Sequence, residues 1–157
     1  MLLDRMLSDR ALARISSVMP DFSVRFYGRY QSALYRVSGG RLGGRFGRGP
    51  VLRLTTTGRR SGEARSTTVL YGRDGPRLVV IGSNRGSDRH PAWVLNLLAN
   101  PEAEVQIGRK RQRVRAREVS PSERTRLWRL MSEGYQGFDL YSTLTDRDLK
   151  VFILEPL

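Results

Sequence analysis

The stretch VLRLTTTGRRSGEARSTTVLYG, residues 51–72, decides the fold. Its first part, residues 51–57, and its last part, residues 65–72, are rich in apolar, β-branched and aromatic residues. The turn between them contains two glycines and two arginines, and a third arginine, Arg65, follows it directly. Two such runs around a glycine-containing turn predict a β-hairpin.

The pattern of hairpins continues to the end of the chain. Residues 73–76 (RDGP) carry an Asp-Gly turn, and residues 77–83 form a continuous apolar run typical of a strand buried on both faces. Helical patterns start at Pro91 and after Pro121, where Ser122 is the expected cap. Another hairpin turns at Gly108, and KVFILEP closes the chain. Strands joined mainly by hairpins, with helices inserted, predict an α+β fold built on an antiparallel barrel.

Residues 1–49 show helical sequence patterns, whereas residues 50–157 show mainly strand patterns. Residues 1–49 are therefore expected to form a separate helical arm. The first helix should end at Pro20, and the glycine-rich residues 38–50 are expected to be a flexible basic linker. Two readings stay open: the helices pack on the barrel, or they rest on an anionic membrane surface. The expected apolar stripes are Leu3, Leu7, Ala11, Ile15 and Val18 on the first helix, and Phe22, Phe26, Tyr30, Ala33 and Val37 on the second.

Composition excludes several classes of chemistry. The 157 residues contain no cysteine and one histidine, His90, which excludes a disulfide framework, a thiolate nucleophile and a histidine-rich zinc site. We therefore expect no metal. No apolar run is long enough to span a bilayer, and the N-terminus is a poor signal peptide. A cytoplasmic protein is expected, with peripheral attachment to the inner face of the cell membrane as the membrane alternative.

The formal net charge of +13 predicts attraction to polyanions. Nearly all of the positive charge is arginine, which suits bidentate contact with phosphate and carboxylate, although coding bias in a GC-rich genome gives the same composition. In residues 109–117 the arginines have odd numbers, so a regular strand would put them on one face. Because aromatic residues are missing from this row, we expect a solvated face and no nucleic-acid partner.

The arginine corner, defined as Arg59, Arg60 and Arg65, is the first candidate site. Gly58 and Gly62 flank two of these arginines and permit the backbone to approach a ligand closely. Three guanidinium groups could hold a phosphate together with carboxylates. The alternative is a solvated hairpin tip.

The second candidate lies where residues 82–93, GSNRGSDRHPAW, join a strand to a helix. Ser83 and Asn84 follow the strand, and the helix begins at Pro91, so hydroxyl, amide and backbone N–H donors could face one ligand. Trp93 would supply an aromatic wall or pack in the core. His90 is expected to be structural rather than a base.

The third candidate is a set of aromatic residues spaced three apart: Tyr135, Phe138 and Tyr141. On a helix or in a tight turn they would share one face. They are expected either to pack in the core or to form a flexible lid over a planar ligand.

Three motifs in this order, TTTGRRSG, PAWVLNLLANP and TDRDLKVFILEP, resemble the deazaflavin-dependent nitroreductase family, the coenzyme F420-dependent quinone reductases. The resemblance runs from about residue 34 to residue 156. It implies a split β-barrel related to the FMN-binding oxidases, and hydride transfer from reduced F420 to a quinone-like or nitroaromatic acceptor. A non-catalytic deazaflavin or flavin carrier is the alternative function. FMN is the less expected cofactor because it lacks the long anionic tail. Related split barrels often dimerise, so a homodimer is expected.

The resemblance also implies roles for individual residues. Arg59, Arg60 and Arg65 would hold the phosphate and glutamate tail of the coenzyme, and Ser83 would orient its ring. Tyr135 and Tyr141 would close over the acceptor and donate a proton. The positions that would contact the ring are Ser83, Asn84, Pro91, Ala92 and Trp93.

Overall fold

The computed structural model describes residues 8–157, except for the side chains of residues 21–27. A 3₁₀ turn covers Asn84–Gly86. The helices are α1 (Asp9–Ser17), α2 (Asp21–Ser38), α3 (Ala92–Ala99), α4 (Pro121–Gly134) and α5 (Gly137–Thr143). The strands are β1 (Arg45–Phe46), β2 (Gly49–Thr57), β3 (Ala64–Asp74), β4 (Arg77–Ile81), β5 (Glu102–Ile107), β6 (Lys110–Glu118) and β7 (Val151–Pro156).

Six of the strands close into an antiparallel barrel. The strand order is β2-β3-β4-β7-β6-β5, and β5 pairs back with β2 to complete the circle. The short strand β1 pairs only with the start of β2. All of these pairings are antiparallel, so the predicted split β-barrel fold is confirmed.

Strands β4 and β7 are buried on both faces, which explains their continuous apolar sequences. Leu78 and Val80 of β4 point into the barrel, where they pack with Leu52 and Leu54 of β2. Val79 packs on the outside in a second cluster with residues of α1, α4 and α5. The same alternation holds in residues 151–154 of β7, because helices cover the outer face of both strands.

Strand β3 extends well past its neighbour β4. Its pairing with β2 covers residues 64–70, whereas its pairing with β4 covers only residues 71–74. In the part of the chain that the structure describes, no strand pairs with the other edge of residues 64–70. The barrel is therefore split along this edge, and backbone groups there face a cleft.

The N-terminal helices pack on the barrel through faces other than the predicted apolar stripes. In α1 the buried residues include Leu12 and Ala13, while Ile15 and Val18 are exposed. In α2 the buried side chains include that of Tyr35, whereas Val37 is 87% exposed. Of the two open readings, packing on the barrel holds for the helices but not for the exposed residues of these stripes, because neighbouring helix positions fit the barrel surface. Leu3 and Leu7, and the side chains of Phe22 and Phe26, lie outside the described residues.

The glycine-rich segment 38–50, expected to be a flexible linker, has specific contacts with the barrel and with α1. The backbone N–H of Val51 donates to Gly44 (3.0 Å). The N–H of Arg48 donates to the carboxylate of Asp9 on α1 (3.2 Å). Gly39, with φ +60°, forms the left-handed cap of α2 and lets the chain turn back. The expectation of a free linker is corrected by these contacts.

The cap of helix α4 lies two residues earlier than expected. The N-cap is Ser120, not Ser122. Ser120 and Glu123 form a capping box, in which the Glu123 carboxylate accepts the Ser120 N–H at 2.9 Å. Glu123 also binds Arg117 of β6, which with the Ser120 bonds holds the pKa of Glu123 far below its usual range. Pro121 at the first helical position is consistent with this cap.

The arginine row of β6 faces outward, as the odd spacing predicts. Val114 and Ala116 point into the barrel core between the arginines. Arg113 and Arg115 both bind the carboxylate of Glu102 on β5, each at 2.8 Å. These exposed ion pairs partly neutralise the row.

Candidate functional site

The main cleft lies at the open edge of β3, between the barrel and the N-terminal helices. Its volume is about 290 Å³, at the lower end of the range for small-molecule sites. Its lining combines apolar side chains with side chains that carry hydroxyl groups. The lining includes Ser16, Gln31, Thr67, Leu70, Ile81, Ser83, Asn84, Pro91, Trp93, Phe138 and Tyr141.

The loop after β4 carries Ser83 and Asn84, and its backbone conformation is uncommon at Asn84 and Arg85. Asn84 and Arg85 have positive φ angles of 41° and 57°. Non-glycine residues adopt this region rarely, and such strain persists only where surrounding contacts impose it. The Asn84 side chain donates to the Arg89 carbonyl at 2.8 Å, and Arg85 donates to the Ser16 carbonyl at 2.9 Å.

Arg147, from the segment before β7, holds this loop in place. Its guanidinium donates to the carbonyl oxygens of Ser83 (2.8 Å), Ser87 (2.9 Å) and Gly82 (3.1 Å). A planar fork with several donors can satisfy all three carbonyls at once. Burial lowers the pKa of Arg147, although the nearby charges of Asp88 and Asp148 act in the opposite direction.

His90 is a structural partner of Arg147. Its Nδ1 lies 3.0 Å from Arg147 Nη1, an arrangement in which a neutral imidazole accepts the bond. Burial and the Arg147 charge lower the pKa of His90. The expectation that His90 is structural rather than a base agrees with this placement.

The start of α3 forms the aromatic side of the cleft. Pro91 and Trp93 line it, and the Trp93 ring also packs 6.2 Å from Phe152 of the barrel core. Trp93 therefore combines the two alternatives, core packing and an aromatic wall. Ala92 is exposed and does not line the cleft.

The three spaced aromatic residues are buried against the barrel rather than held over it. Tyr135, Phe138 and Tyr141 are at most 3% exposed, and their rings contact one another edge to face or tilted. Phe138 and Tyr141 line the cleft, while Tyr135 lies behind them. In this arrangement they form a fixed wall, because α5 is packed between α1 and α4. A flexible lid does not match this burial.

Two hydroxyl contacts connect this wall to α1. The Tyr141 hydroxyl lies 2.8 Å from Ser16 Oγ and 3.2 Å from the Tyr135 hydroxyl. Ser16 Oγ also donates to the Ala13 carbonyl. Ser16, Tyr141 and Tyr135 thus form a chain of hydroxyls that begins at the cleft surface and ends in the core.

The arginine corner lies at the tip of the β2–β3 hairpin, beyond the cleft. The Arg59 N–H donates to Asn96 Oδ1 of α3 at 3.1 Å, and Asn96 Nδ2 donates to Thr56 at 3.0 Å. Arg65 forms an exposed ion pair with Glu63 (2.8 Å). Asn96 thereby ties the corner to the helix whose first turn lines the cleft. Arg65 precedes Thr67 of the cleft by two residues, about 7 Å along the strand.

Sequence reasoning missed Ser16, Arg85, Asn96 and Arg147. Ser16 belongs to a helix that was assigned to the arm, and Arg147 is more than fifty residues from the loop it holds. The signal for Asn96 was a polar residue within the apolar run WVLNLLA. Such a residue at a buried helix position must find a hydrogen-bond partner.

Neither a metal site nor a membrane span is found within residues 8–157. The described part of the chain contains no group of three or more histidine, cysteine or carboxylate residues able to hold a metal ion. No helix there is long and apolar enough to cross a membrane.

Comparison with known proteins agrees with this fold. Residues 27–156 match the family of F420H(2)-dependent quinone reductases. The chain is 37% identical over 130 residues to an F420H(2)-dependent quinone reductase of Mycobacterium tuberculosis (strain H37Rv), covering 80% of this chain and 87% of that protein. It resembles the solved structure of an F420-H2 dependent reductase, FDR-A (TM-score 0.63, 36% identity), over 68% of this chain and 94% of that one. A structure described as a domain-swapped dimer also matches (TM-score 0.65, 31% identity), over 87% of this chain and all of that one. The chain belongs to the F420H(2)-dependent quinone reductase family.

Proposed function

We propose that the protein transfers a hydride from reduced coenzyme F420 to a quinone-like acceptor, with nitroaromatic compounds as incidental acceptors. The observation that carries this proposal is the cleft at the split edge of the barrel. The cleft is lined by apolar side chains such as Trp93 and by hydroxyl-bearing side chains such as Tyr141. Arg65 of the arginine corner lies on β3, the strand whose open edge forms the cleft. These features occur in a chain that belongs to the quinone reductase family.

The residues present fit a cofactor with a flat ring and an anionic tail. Leu70, Ile81 and Trp93 give the cleft apolar surface suited to a planar ring. At the corner, Arg59 and Arg60 form no ion pair within the described residues, so their charge is available to an anion. Guanidinium groups bind phosphate and carboxylate in bidentate fashion.

Each group of residues then has a role in binding. Arg59, Arg60 and Arg65 hold the tail and supply binding energy away from the reacting atoms. Ser83 and Asn84 orient the edge of the ring, and Arg147 fixes the loop that carries them. Pro91 and Trp93 bound the ring, with Ala92 beside them at the mouth. When bound, the reduced deazaflavin supplies the hydride.

The acceptor also needs a proton on its reduced oxygen. Tyr141 lines the cleft, which supports it as the residue that donates this proton. The Tyr135 hydroxyl is within 3.2 Å of the Tyr141 hydroxyl, and Ser16 is 2.8 Å away on the other side. These two neighbours orient the Tyr141 hydroxyl. Ser16, whose own hydrogen goes to the Ala13 carbonyl, accepts from Tyr141, and the Tyr135 hydroxyl can donate to it. Phe138 contributes only apolar surface.

Turnover under anaerobic conditions tests this function against the carrier alternative. Reduced F420 is mixed with the protein and menadione, a soluble quinone, and its oxidation is followed by the return of F420 absorbance. Catalytic oxidation that scales with protein concentration supports the reductase. Stoichiometric binding with no acceleration for menadione or a nitroaromatic compound would instead establish a carrier.

The exposed apolar residues of α1 and α2 support peripheral attachment to the cytoplasmic face of the membrane. Val18, Tyr30 and Val37 are strongly exposed, and Arg14 and Arg29 lie on the same helices. Apolar and basic residues together bind anionic lipid surfaces. Met19, also exposed, lines the cleft, so attachment here would bring the cleft mouth close to membrane-dissolved quinones. Co-sedimentation with vesicles, comparing wild type with V18S/V37S, tests this: binding unchanged in the variant would reject it.

A homodimer is the proposed assembly. Its support is the related structure described as a domain-swapped dimer. Light scattering coupled to size-exclusion chromatography distinguishes a dimer from the 17.9 kDa monomer.

A further inference from the structure

A second cleft, separate from the first, lies between α2 and the outer face of β2 and β3. Its volume is about 400 Å³. We call it the basic cleft. It is lined by Arg29, Ser32, Ala33, Arg36, Val37, Arg53 and Ser66.

The basic cleft concentrates positive charge from three arginines, Arg29, Arg36 and Arg53. Within the described residues, no ion pair joins Arg29, Arg36 or Arg53 to a carboxylate. Burial lowers the pKa of Arg53, and the charges of Arg36 and Arg111 lower it further, opposed by Glu104 alone. Guanidinium groups this close to one another repel, and an anion between them would relieve the repulsion.

The donors in the basic cleft are held by packed elements. Arg53 Nε donates to Ser32 Oγ at 3.2 Å, and Ser32 is 5% exposed. Ser66 Oγ lies 2.8 Å from Thr55 Oγ1 on the neighbouring strand. The Nη groups of Arg53 and those of Arg29 and Arg36 have no hydrogen bond within the described residues, so they can donate to a ligand.

The basic cleft lies near the arginine corner but on the other face of the strands. Ser66 of the basic cleft directly follows Arg65 of the corner on β3, and successive residues of a strand point to opposite faces. The two clefts also lie against different residues of α2: Gly28 and Gln31 line the main cleft, whereas Arg29 and Ser32 line the basic one.

We propose that the basic cleft binds the phosphodiester of a phospholipid headgroup. Several guanidinium groups beside a buried hydroxyl favour a phosphate oxyanion. The exposed side chains of Val37 and Tyr30 lie on the same helix, where they can contact the acyl region while the headgroup occupies the cleft. The inference deepens the membrane attachment proposed above and does not depend on coenzyme binding.

The first test measures phosphate binding without coenzyme or lipid. The ¹⁵N-labelled full chain is titrated with inorganic phosphate at constant ionic strength. We expect saturable shifts of the Arg53 Nε–H signal and the Ser32 amide, at least tenfold weaker in R29Q/R36Q. The matched control R10Q/R129Q, which also loses two exposed helix arginines, should behave as wild type. Absent shifts, or shifts unchanged in R29Q/R36Q, would overturn the site.

The second test distinguishes a lipid headgroup from free phosphate. Vesicles of phosphatidylglycerol are co-sedimented with wild type, R29Q/R36Q and R10Q/R129Q. We expect R29Q/R36Q to bind the vesicles about 30-fold more weakly than wild type, because each arginine near the lipid surface contributes about a factor of five to the affinity. R29Q/R36Q should also bind more weakly than the control R10Q/R129Q. Equal weakening of both variants would show general charge attraction and overturn the lipid assignment. Equal binding by all three proteins would also overturn it, leaving the cleft to a soluble phosphate.

Discussion

Ser16 Oγ lies 2.8 Å from the Tyr141 hydroxyl, so a residue of the N-terminal helix contributes to the hydroxyl-bearing lining of the main cleft. Arg85 reinforces this junction by donating to the Ser16 carbonyl at 2.9 Å. The N-terminal helices are therefore part of the site, whatever their contact with a membrane. Changes to α1 should affect turnover as well as membrane attachment.

Replacing Tyr141 with phenylalanine should slow turnover without loosening the coenzyme. The ring and its packing remain, but the proposed proton donor at the cleft is lost. We expect kcat to fall about 100-fold, a typical value for loss of a general acid. Steady-state rates with menadione, together with the F420 dissociation constant, measure the two effects separately.

Two further variants provide controls for that result. Tyr135→Phe removes a hydroxyl that does not line the cleft, and Ser16→Ala removes one that orients Tyr141. Both should reduce kcat less than Tyr141→Phe. A Tyr141→Phe enzyme with wild-type kcat would remove Tyr141 from the mechanism.

Replacing Arg147 with lysine should disorder the loop that carries Ser83. A single ammonium group cannot satisfy the carbonyls of Gly82, Ser83 and Ser87 as the guanidinium fork does. We expect a loss of about 2 kcal/mol of folding free energy, since hydrogen bonds from charged donors contribute about 1.5–3 kcal/mol each. Urea unfolding measures this loss.

The matched control for Arg147 is Arg129→Lys on the exposed face of α4. It should leave both stability and coenzyme affinity unchanged. Arg147→Lys should also weaken F420 binding. An Arg147→Lys protein with wild-type stability would show that the loop keeps its conformation without the Arg147 guanidinium.

Stability should fall on mild acidification because of His90. Its pKa is lowered in the folded state, so the unfolded chain binds a proton first as the pH drops below about 6.5. Stability is therefore fully present above that pH and is lost as the pH falls toward the folded pKa. Thermal unfolding between pH 7.5 and 5 should show a declining Tm.

The assignment to His90 is direct because it is the only histidine in the chain. The carboxylate of Asp74, whose ion pairs hold its pKa near 2, loses its contribution only below about pH 4. His90→Gln should flatten the decline between pH 7 and 5. An equally steep decline in His90→Gln would assign the effect to another group.

The sequence predicted the barrel well because its strands follow simple rules. The Asp-Gly turn, the hairpin at residues 51–72 and the doubly buried run of β4 are local signals, and each has its expected place. The outward orientation of the arginines of β6 was predicted from their odd residue numbers alone, because alternate residues of a strand share one face. The resemblance to a family supplied the cofactor, which local patterns could not.

What the sequence did not show depends on packing between distant segments. Helices α1 and α2 pack on the barrel through Ala13 and Tyr35, which lie outside the apolar stripes that the sequence shows. The sequence left a lid and core packing open for Tyr135, which is 1% exposed and so fits core packing. Arg147 and Ser16 reach the site from separate segments of the chain, and no local pattern indicates such contacts.

The central claim is that the protein binds coenzyme F420 and that the arginine corner holds the anionic tail of the coenzyme. A fluorescence titration with oxidised F420 compares wild type, the triple variant R59A/R60A/R65A, and a control triple, R73A/R113A/R129A, with FMN titrated in parallel. Wild type and the control should bind F420 more tightly than FMN. The corner variant should bind F420 about 100-fold more weakly, since each hydrogen bond to a charged group contributes about 1.5–3 kcal/mol. If wild type does not bind F420, or if the corner variant binds it as tightly as wild type, the account of this site is contradicted.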